Sequence, residues 1–283
     1  MKNKTIIVTG AAGFIGSHLC ERLAKDNTVI GLDNYFTGST DNHVPNVTYI
    51  EGNTKNINAL CKHIHPDIVY HLGEYSRVEQ SFEDVETVLD YNMTGIQAVL
   101  SYVRARKCKI VYAGSSTKYA DLGKNACPYS WSKATNTELV KNYGEWFDVD
   151  YAITYFYNVY GPREIQHGKY ATLIAKFNQK MIDKEPLTVV LPGTQRRNFT
   201  HIYDTVDALV LIGEKGQGDE YGIGNPQSFS IFEVAELYGA PIEMLPPRKG
   251  NRMTAPVISD KTIALGWKPT RDLVQYINTL KGE

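Results

Sequence analysis

Cysteine is scarce and ill placed for chemistry in this 283-residue chain. Cys20, Cys61, Cys108 and Cys127 lie far apart with no C-x-x-C spacing, so neither a zinc site nor a disulfide framework is indicated, and free thiols in a reducing compartment are expected. No apolar run is long enough to span a bilayer. The N-terminal Met-Lys-Asn-Lys passes straight into a short apolar strand, without the apolar core and cleavage site of a signal peptide. The expected location is therefore cytoplasmic, with no membrane partner and no metal. Neither sign of charge predominates: 30 Lys plus Arg against 31 Asp plus Glu leave −1. That removes the basic field that nucleic acid binding ordinarily needs. Repeats, low-complexity tracts and Ser/Gly linkers are also missing. What is there, 42% apolar and 22% charged residues, is the composition of a globular protein with a small partner.

The first half alternates short β-branched runs with helical patterns, the sequence mark of parallel βαβ units. Strands are predicted at Thr5–Thr9, Thr28–Asp33, Val47–Glu51, Ile68–His71, Lys109–Ala113 and Tyr151–Tyr157, and helices at Phe14–Lys25, Asp84–Lys107 and Tyr129–Phe147. The expected fold is α/β, a Rossmann-like doubly wound parallel sheet. After about Gly161 the pattern loosens into a helix near Tyr170–Asp183, a strand at Leu187–Leu191 and a helix at Tyr203–Gly213. Three short helical patterns split by prolines follow between Phe229 and Glu283. The expected organisation is a dinucleotide-binding domain over residues 1–160, with 199–225 returning to it, and a smaller irregular α/β substrate domain over 161–283. The absence of a linker predicts a cleft between closely joined domains.

Gly10-Ala-Ala-Gly13-Phe-Ile-Gly16 follows the first strand and opens the first helix. Such glycines let the backbone turn tightly and approach a pyrophosphate, which the helix N-terminus attracts. Alone they could equally be a bare strand-to-helix turn. Asp33 decides for a dinucleotide, because it ends the second strand about 20 residues later, where a carboxylate accepts hydrogen bonds from ribose hydroxyls. The same charge repels a 2′-phosphate, which favours NAD over NADP. Tyr129 and Lys133, four apart after Pro128, share one helix face. An ammonium beside a phenol stabilises the phenolate, which is what makes a tyrosine a general base. Ser115 lies just past the fifth strand, at the strand ends where open α/β sheets bind ligands. Ser116 and Thr117 read as turn residues. Glu74, after the fourth strand, reads as a solvent-facing carboxylate, with a place near a substrate as the alternative.

The glycine loop, Asp33, Ser115 and Tyr129-x-x-x-Lys133 resemble the extended short-chain dehydrogenase/reductase family, in particular its nucleotide-sugar epimerases of the UDP-glucose 4-epimerase kind. Further matches are His71-Leu-Gly, Asn92-Met-Thr-Gly95, Tyr155-Phe-Tyr-Asn158-Val-Tyr-Gly-Pro-Arg163, Gly193-Thr-Gln-Arg-Arg197, Arg248-Lys-Gly250 and Leu265-Gly-Trp-Lys-Pro269, which cover essentially the whole chain. The resemblance implies NAD held by Gly10, Gly13, Phe14, Ile15, Gly16, Asp33, Asn34, Asn53, Leu72, Asn92, Tyr129, Lys133 and Phe156. It implies catalysis by Ser115, Tyr129 and Lys133. It also implies a nucleotide-sugar substrate, a UDP-hexose or UDP-N-acetylhexosamine, held by Ser115, Asn158, Arg197, Arg248 and Asn251, with small Thr254 and Ala255 bordering the sugar. The implied reaction is C4 epimerisation through a 4-keto intermediate, in a homodimer joined through the helices at 84–107 and 129–147. The alternatives are a dehydratase, decarboxylase or 4-ketoreductase of the same family, or a non-catalytic NAD sensor or scaffold. Three departures stand out. Only 13 residues separate Ser115 from Tyr129, fewer than the family usually has. Asn53 and Asn251 stand where acidic residues are common. Ser116-Thr117 replaces the Asp-Glu pair that sugar-nucleotide dehydratases carry.

Overall fold

Ile6, Ile7 and Val8 are all fully buried, as in a parallel strand covered on both faces rather than one that alternates. That strand, β1 (Thr5–Thr9), lies within a sheet completed by β2 (Thr28–Asp33), β3 (Val47–Glu51), β4 (Ile68–His71), β5 (Lys109–Ser115), β6 (Tyr151–Phe156) and β7 (Gly218–Ile223). Their spatial order is β7-β6-β5-β4-β1-β2-β3, and every neighbouring pair is parallel. Chain order reverses between β1 and β4, so a crevice opens at their carboxyl ends. This is the Rossmann-like doubly wound α/β fold. The computed structural model describes residues 1–120, 123–247, 253, 254 and 256–282.

Helices Phe14–Leu23 and Ile202–Lys215 bury Leu19, Leu23, Ile202 and Leu209 against one face of the sheet. Helices Gly95–Arg106 and Pro128–Phe147 bury Ile96, Val99, Leu100 and Val140 against the other. A third apolar cluster around Phe177, Val234 and Ile277 forms the smaller region, where Leu187–Val190 pairs in parallel with Ile242–Leu245. All four cysteines are buried and free, and burial pushes the Cys61 thiol up to about 11. Among the described residues, no helix is long and apolar enough to cross a membrane, and no group of three His, Cys, Asp or Glu could hold a metal.

The strand Ile242–Leu245 lies where only helical patterns are expected, and two elements of the larger domain also differ from the sequence expectation. The helix predicted at Asp84–Lys107 is Val85–Val88 and Gly95–Arg106 joined by a π-helical stretch, Leu89–Thr94. The wider stretch turns Asn92 fully inward. The pattern predicts no strand at β7, within the 199–225 segment expected to return to this domain, because Gly-Asp-Glu-Tyr-Gly-Ile carries two acids and two glycines. It is tolerated as an edge strand with a register shift between Gly218 and Tyr221, where Glu220 takes a φ of 76°.

Candidate active site

The glycine loop is shaped by what a side chain would strike. Gly10 has a φ of 70°, and a Cβ there would stand 2.9 Å from the backbone nitrogen of Gly73. A Cβ on Gly16 would fall 2.0 Å from the Gly10 carbonyl oxygen. The loops after β1 and β4 therefore meet backbone to backbone and leave an open cradle at the N-terminus of helix Phe14–Leu23. Asp33 closes the cradle from the end of β2. Its carboxylate accepts hydrogen bonds from the backbone N–H of Ala12 at 2.9 Å and of Tyr35 at 2.8 Å, one on each oxygen. Each oxygen keeps a lone pair for a further donor. Burial raises the Asp33 carboxyl, while the backbone N–H donors of Tyr35, Ala12 and Asn34 oppose that rise.

A cleft of about 460 Å³ runs from this cradle across the ends of β1, β4 and β5. Gly10, Gly13, Phe14, Ile15, Gly16, Asp33, Asn34, Asn53, Leu72 and Phe156 line it, as do Ser115, Tyr129, Lys133 and Asn158. Other expected residues are elsewhere. Asn92 is fully buried behind the loop after β4, where its amide accepts from Tyr75 N–H at 2.7 Å and donates to the Tyr75 carbonyl and Ser132 Oγ. It braces the loop and does not line the cleft. Arg197 sits on the strand Arg196–Asn198, off the cleft, donating to the carbonyl oxygens of Arg196 and Met253. Thr254 is exposed. Arg248, Asn251 and Ala255 lie outside the described residues.

Tyr129 and Lys133 occupy the first turns of helix Pro128–Phe147, whose start is set by Cys127, its sulfur accepting from Ser130 N–H at 3.3 Å, and by Pro128 at the first helical position. Tyr129 is half-buried and Lys133 is 4% exposed. Ser115 ends β5, and its hydroxyl bonds Thr117 Oγ1 at 2.9 Å and accepts from Thr117 N–H at 3.3 Å. The three thus converge on one cleft from two elements.

Glu74 corrects the sequence reading. It is not solvent-facing: its side chain is 2% exposed and is held by Lys133 Nζ, by Asn136 Nδ2 at 3.0 Å and by the Tyr112 hydroxyl at 3.0 Å, with His71 Nε2 at 3.4 Å. Burial alone would raise its carboxyl, but Lys133 and His71 outweigh that and hold it below the usual carboxylate range. Asn136, three residues past Lys133 and seven past Tyr129, shares their helical face and brings a further donor to this carboxylate. Sequence reasoning also missed Arg77 and Glu164, both lining the cleft. Arg77 donates through Nε to the Tyr170 carbonyl at 2.8 Å, and burial lowers its pKa while Tyr129 and Tyr75 oppose that. Glu164 accepts from Gly161 N–H at 2.9 Å and from the Thr172 hydroxyl, and burial raises its carboxyl to about 7.

Known proteins match this arrangement along the chain. The chain is 29% identical over 303 residues to UDP-glucuronic acid decarboxylase 2 of Arabidopsis thaliana, covering 97% of this chain and 66% of that protein, so it spans just under two thirds of that relative. It is 29% identical over 293 residues to a putative UDP-glucose 4-epimerase of Methanocaldococcus jannaschii, covering 96% and 95% of the two chains. Among solved structures, the UDP-glucose 4-epimerase of Thermotoga maritima with UDP-glucose superposes with a TM-score of 0.90 at 25% identity, covering 98% of this chain and 97% of that one. Residues 6–224 match the model of the NAD dependent epimerase/dehydratase family, and with the glycine cradle and Asp33 ready for that dinucleotide, the chain belongs to this family.

Proposed function

We propose that the protein interconverts nucleotide sugars differing in configuration at C4, by way of a 4-keto sugar. Tyr129 takes the proton of the 4-hydroxyl and later returns it. Lys133 supplies the positive charge that favours the phenolate, and Ser115 hydrogen-bonds the reacting oxygen. Bound NAD would supply reversible hydride acceptance at C4, with the hydride returned to the other face of the sugar. Gly10, Gly13, Phe14, Ile15 and Gly16 would hold its pyrophosphate side, and Asp33 its ribose. Asn158 would hold the substrate's diphosphate from the cleft, and the family resemblance adds Arg197 and Arg248.

The observation that carries this reading is the convergence of Ser115, Tyr129 and Lys133 on the cleft with no acid beside Ser115: the next two positions are Ser116 and Thr117. Glu74 does not fill that role, since Lys133 and His71 hold it ionised. Dehydration therefore lacks an acid in the place beside Ser115, and Glu164, the raised carboxyl that also lines the cleft, is engaged by Gly161 N–H and the Thr172 hydroxyl. Decarboxylation of a nucleotide uronic acid is the second reading, and Arg77 favours it: a guanidinium in the cleft, in the field of Tyr129, forms no ion pair among the described residues and matches a carboxylate fork.

Incubation of the purified protein with UDP-, GDP- and dTDP-sugars tests both. The expected product is an epimer of unchanged mass with no net NADH consumed. Thr254 is small and Ala255 is smaller, so N-acetylhexosamine nucleotides are expected to turn over about as well as plain hexose ones. Release of CO₂ from a uronic acid would establish the second reading. Net NADH consumption would indicate a reductase, and NAD binding without turnover of any sugar a sensor.

A further inference from the structure

Lys133 and Glu74 are both almost fully buried, and taking two charges out of water is tolerated only when each is well partnered. The carboxylate is approached from three directions: by Lys133 and Asn136 from helix Pro128–Phe147, by Tyr112 from β5 and by His71 from β4. The state of His71 follows from its neighbours. Thr9 Oγ1 accepts from the N–H groups of Leu72 at 3.2 Å and Gly73 at 3.0 Å, so its own proton goes to His71 Nδ1 at 2.8 Å. The ring proton is then on Nε2, the atom facing Glu74. Lys133, Asn136 and Tyr112 all donate to the carboxylate, and the His71 Nε2–H faces it at 3.4 Å without a hydrogen bond. Of the three N–H bonds of Lys133, one goes to Glu74 and one to the Ala113 carbonyl, which leaves one for the cleft.

We infer that Glu74 is a positioning residue for the proposed base: it fixes the Lys133 ammonium, aims its remaining N–H into the cleft and balances its charge, so that a phenolate at Tyr129 must share the cation with a carboxylate. The inference rests on the reading of Tyr129 as the base. The charged or titratable groups facing this set are Glu74, His71 and Tyr112 around Lys133, and Arg77 with Tyr112 around Tyr129. Removing only the charge of Glu74 leaves Lys133⁺ unbalanced beside Tyr129, so the phenolate forms at lower pH. Lys133, buried without a counter-charge, also gives up its proton more readily. Both limbs of the pH profile then move down together.

The test is Glu74→Gln, which keeps shape and removes charge, with Glu74→Asp as the variant that keeps charge. Tyrosinate absorbance is followed against pH in each protein, after subtraction of the same protein carrying Tyr129→Phe. Glu74→Gln is expected to lower the Tyr129 transition by about one pH unit or more, a tenfold change in proton affinity. Glu74→Asp should leave the transition near its wild-type place, and the acid limb of the kcat profile should follow the absorbance. If Glu74→Gln slows turnover but moves neither the absorbance transition nor either limb, Glu74 is structural and the inference is overturned. A second measurement needs no Glu74 variant: carbon NMR of the Glu74 carboxyl in Lys133→Met should show it taking up its proton at a pH at least about one unit above wild type. An unchanged titration there overturns the inference as well. The absorbance and NMR readings need no substrate, so they decide this point even if no sugar nucleotide is epimerised and the proposed function falls.

Discussion

Tyr129 sits at the second position of its helix, half-buried, with its ring bordering the cleft and Lys133 one turn further on. Replacing it with Phe removes one oxygen and leaves the helix start to Cys127 and Pro128, so the fold and NAD binding should survive. Turnover should fall by the roughly 10²–10⁴-fold typical of one acid–base group. Steady-state kinetics, together with NAD titration of the variant, check this, and a Tyr129→Phe enzyme within threefold of wild type would refute the assignment. The pair was legible in the chain because four-residue spacing is a property of the helix itself. Its carboxylate partner was not, since Glu74 and Lys133 are 59 residues apart and neither sequence neighbourhood announces the other.

The segment from Gly161 to Thr172 folds over the cleft without regular structure and is fastened at several points. Arg77 and Gln80 donate to the carbonyls of Tyr170 and Lys169, and the Tyr170 hydroxyl and Lys169 ammonium both bond Asp84. Inside it, Glu164 is 8% exposed, and burial raises its carboxyl from 4.5 to about 7. A carboxyl whose proton is held more tightly in the fold stabilises it fully below pH 4.5, and that stability is lost as pH rises through 7. The gap corresponds to about 3 kcal/mol at most. Glu164→Gln can accept from Gly161 N–H on its amide oxygen and donate its amide N–H to the Thr172 hydroxyl oxygen, and it cannot ionise, so it should be more stable than wild type at pH 8 and close to it at pH 4.5. Urea unfolding at the two pH values measures the difference, and equal gaps at both would refute it. His201, lowered to about 4 mainly by burial, acts in the opposite sense between about pH 4 and 6.5, and the wild-type-to-variant comparison cancels it.

At the scale of the whole molecule, the helical face behind the cleft is more apolar than a monomer's surface requires. Val85 is 37%, Leu89 39% and Trp131 43% exposed, on elements that pack against one another. The inward residues of the same stretch, Val88, Ile96, Val99, Leu100 and Val103, are already buried in the core, so this outer patch is a second apolar surface. We expect it to join two copies of the chain. Light scattering at micromolar protein should give twice 31.8 kDa, and Leu89→Lys with Trp131→Glu should give a monomer that still binds NAD. A wild-type monomer at that concentration would sink this expectation.

Local rules, the period of buried strands, glycines before a helix, a carboxylate ending β2 and a four-residue Tyr–Lys spacing, were enough to indicate from sequence alone the parallel sheet, the cradle, Asp33 and the residues Ser115, Tyr129 and Lys133. Each is encoded within a few residues, and backbone geometry does the rest. Tertiary structure alone decided that Glu74 faces Lys133 instead of water, that Asn92 turns behind the loop, and that Gly218–Ile223 adds the seventh strand. Those outcomes depend on pairings between segments far apart in the chain: a charge is buried only where a distant partner neutralises it, and a polar edge strand forms only where a neighbour offers its hydrogen bonds.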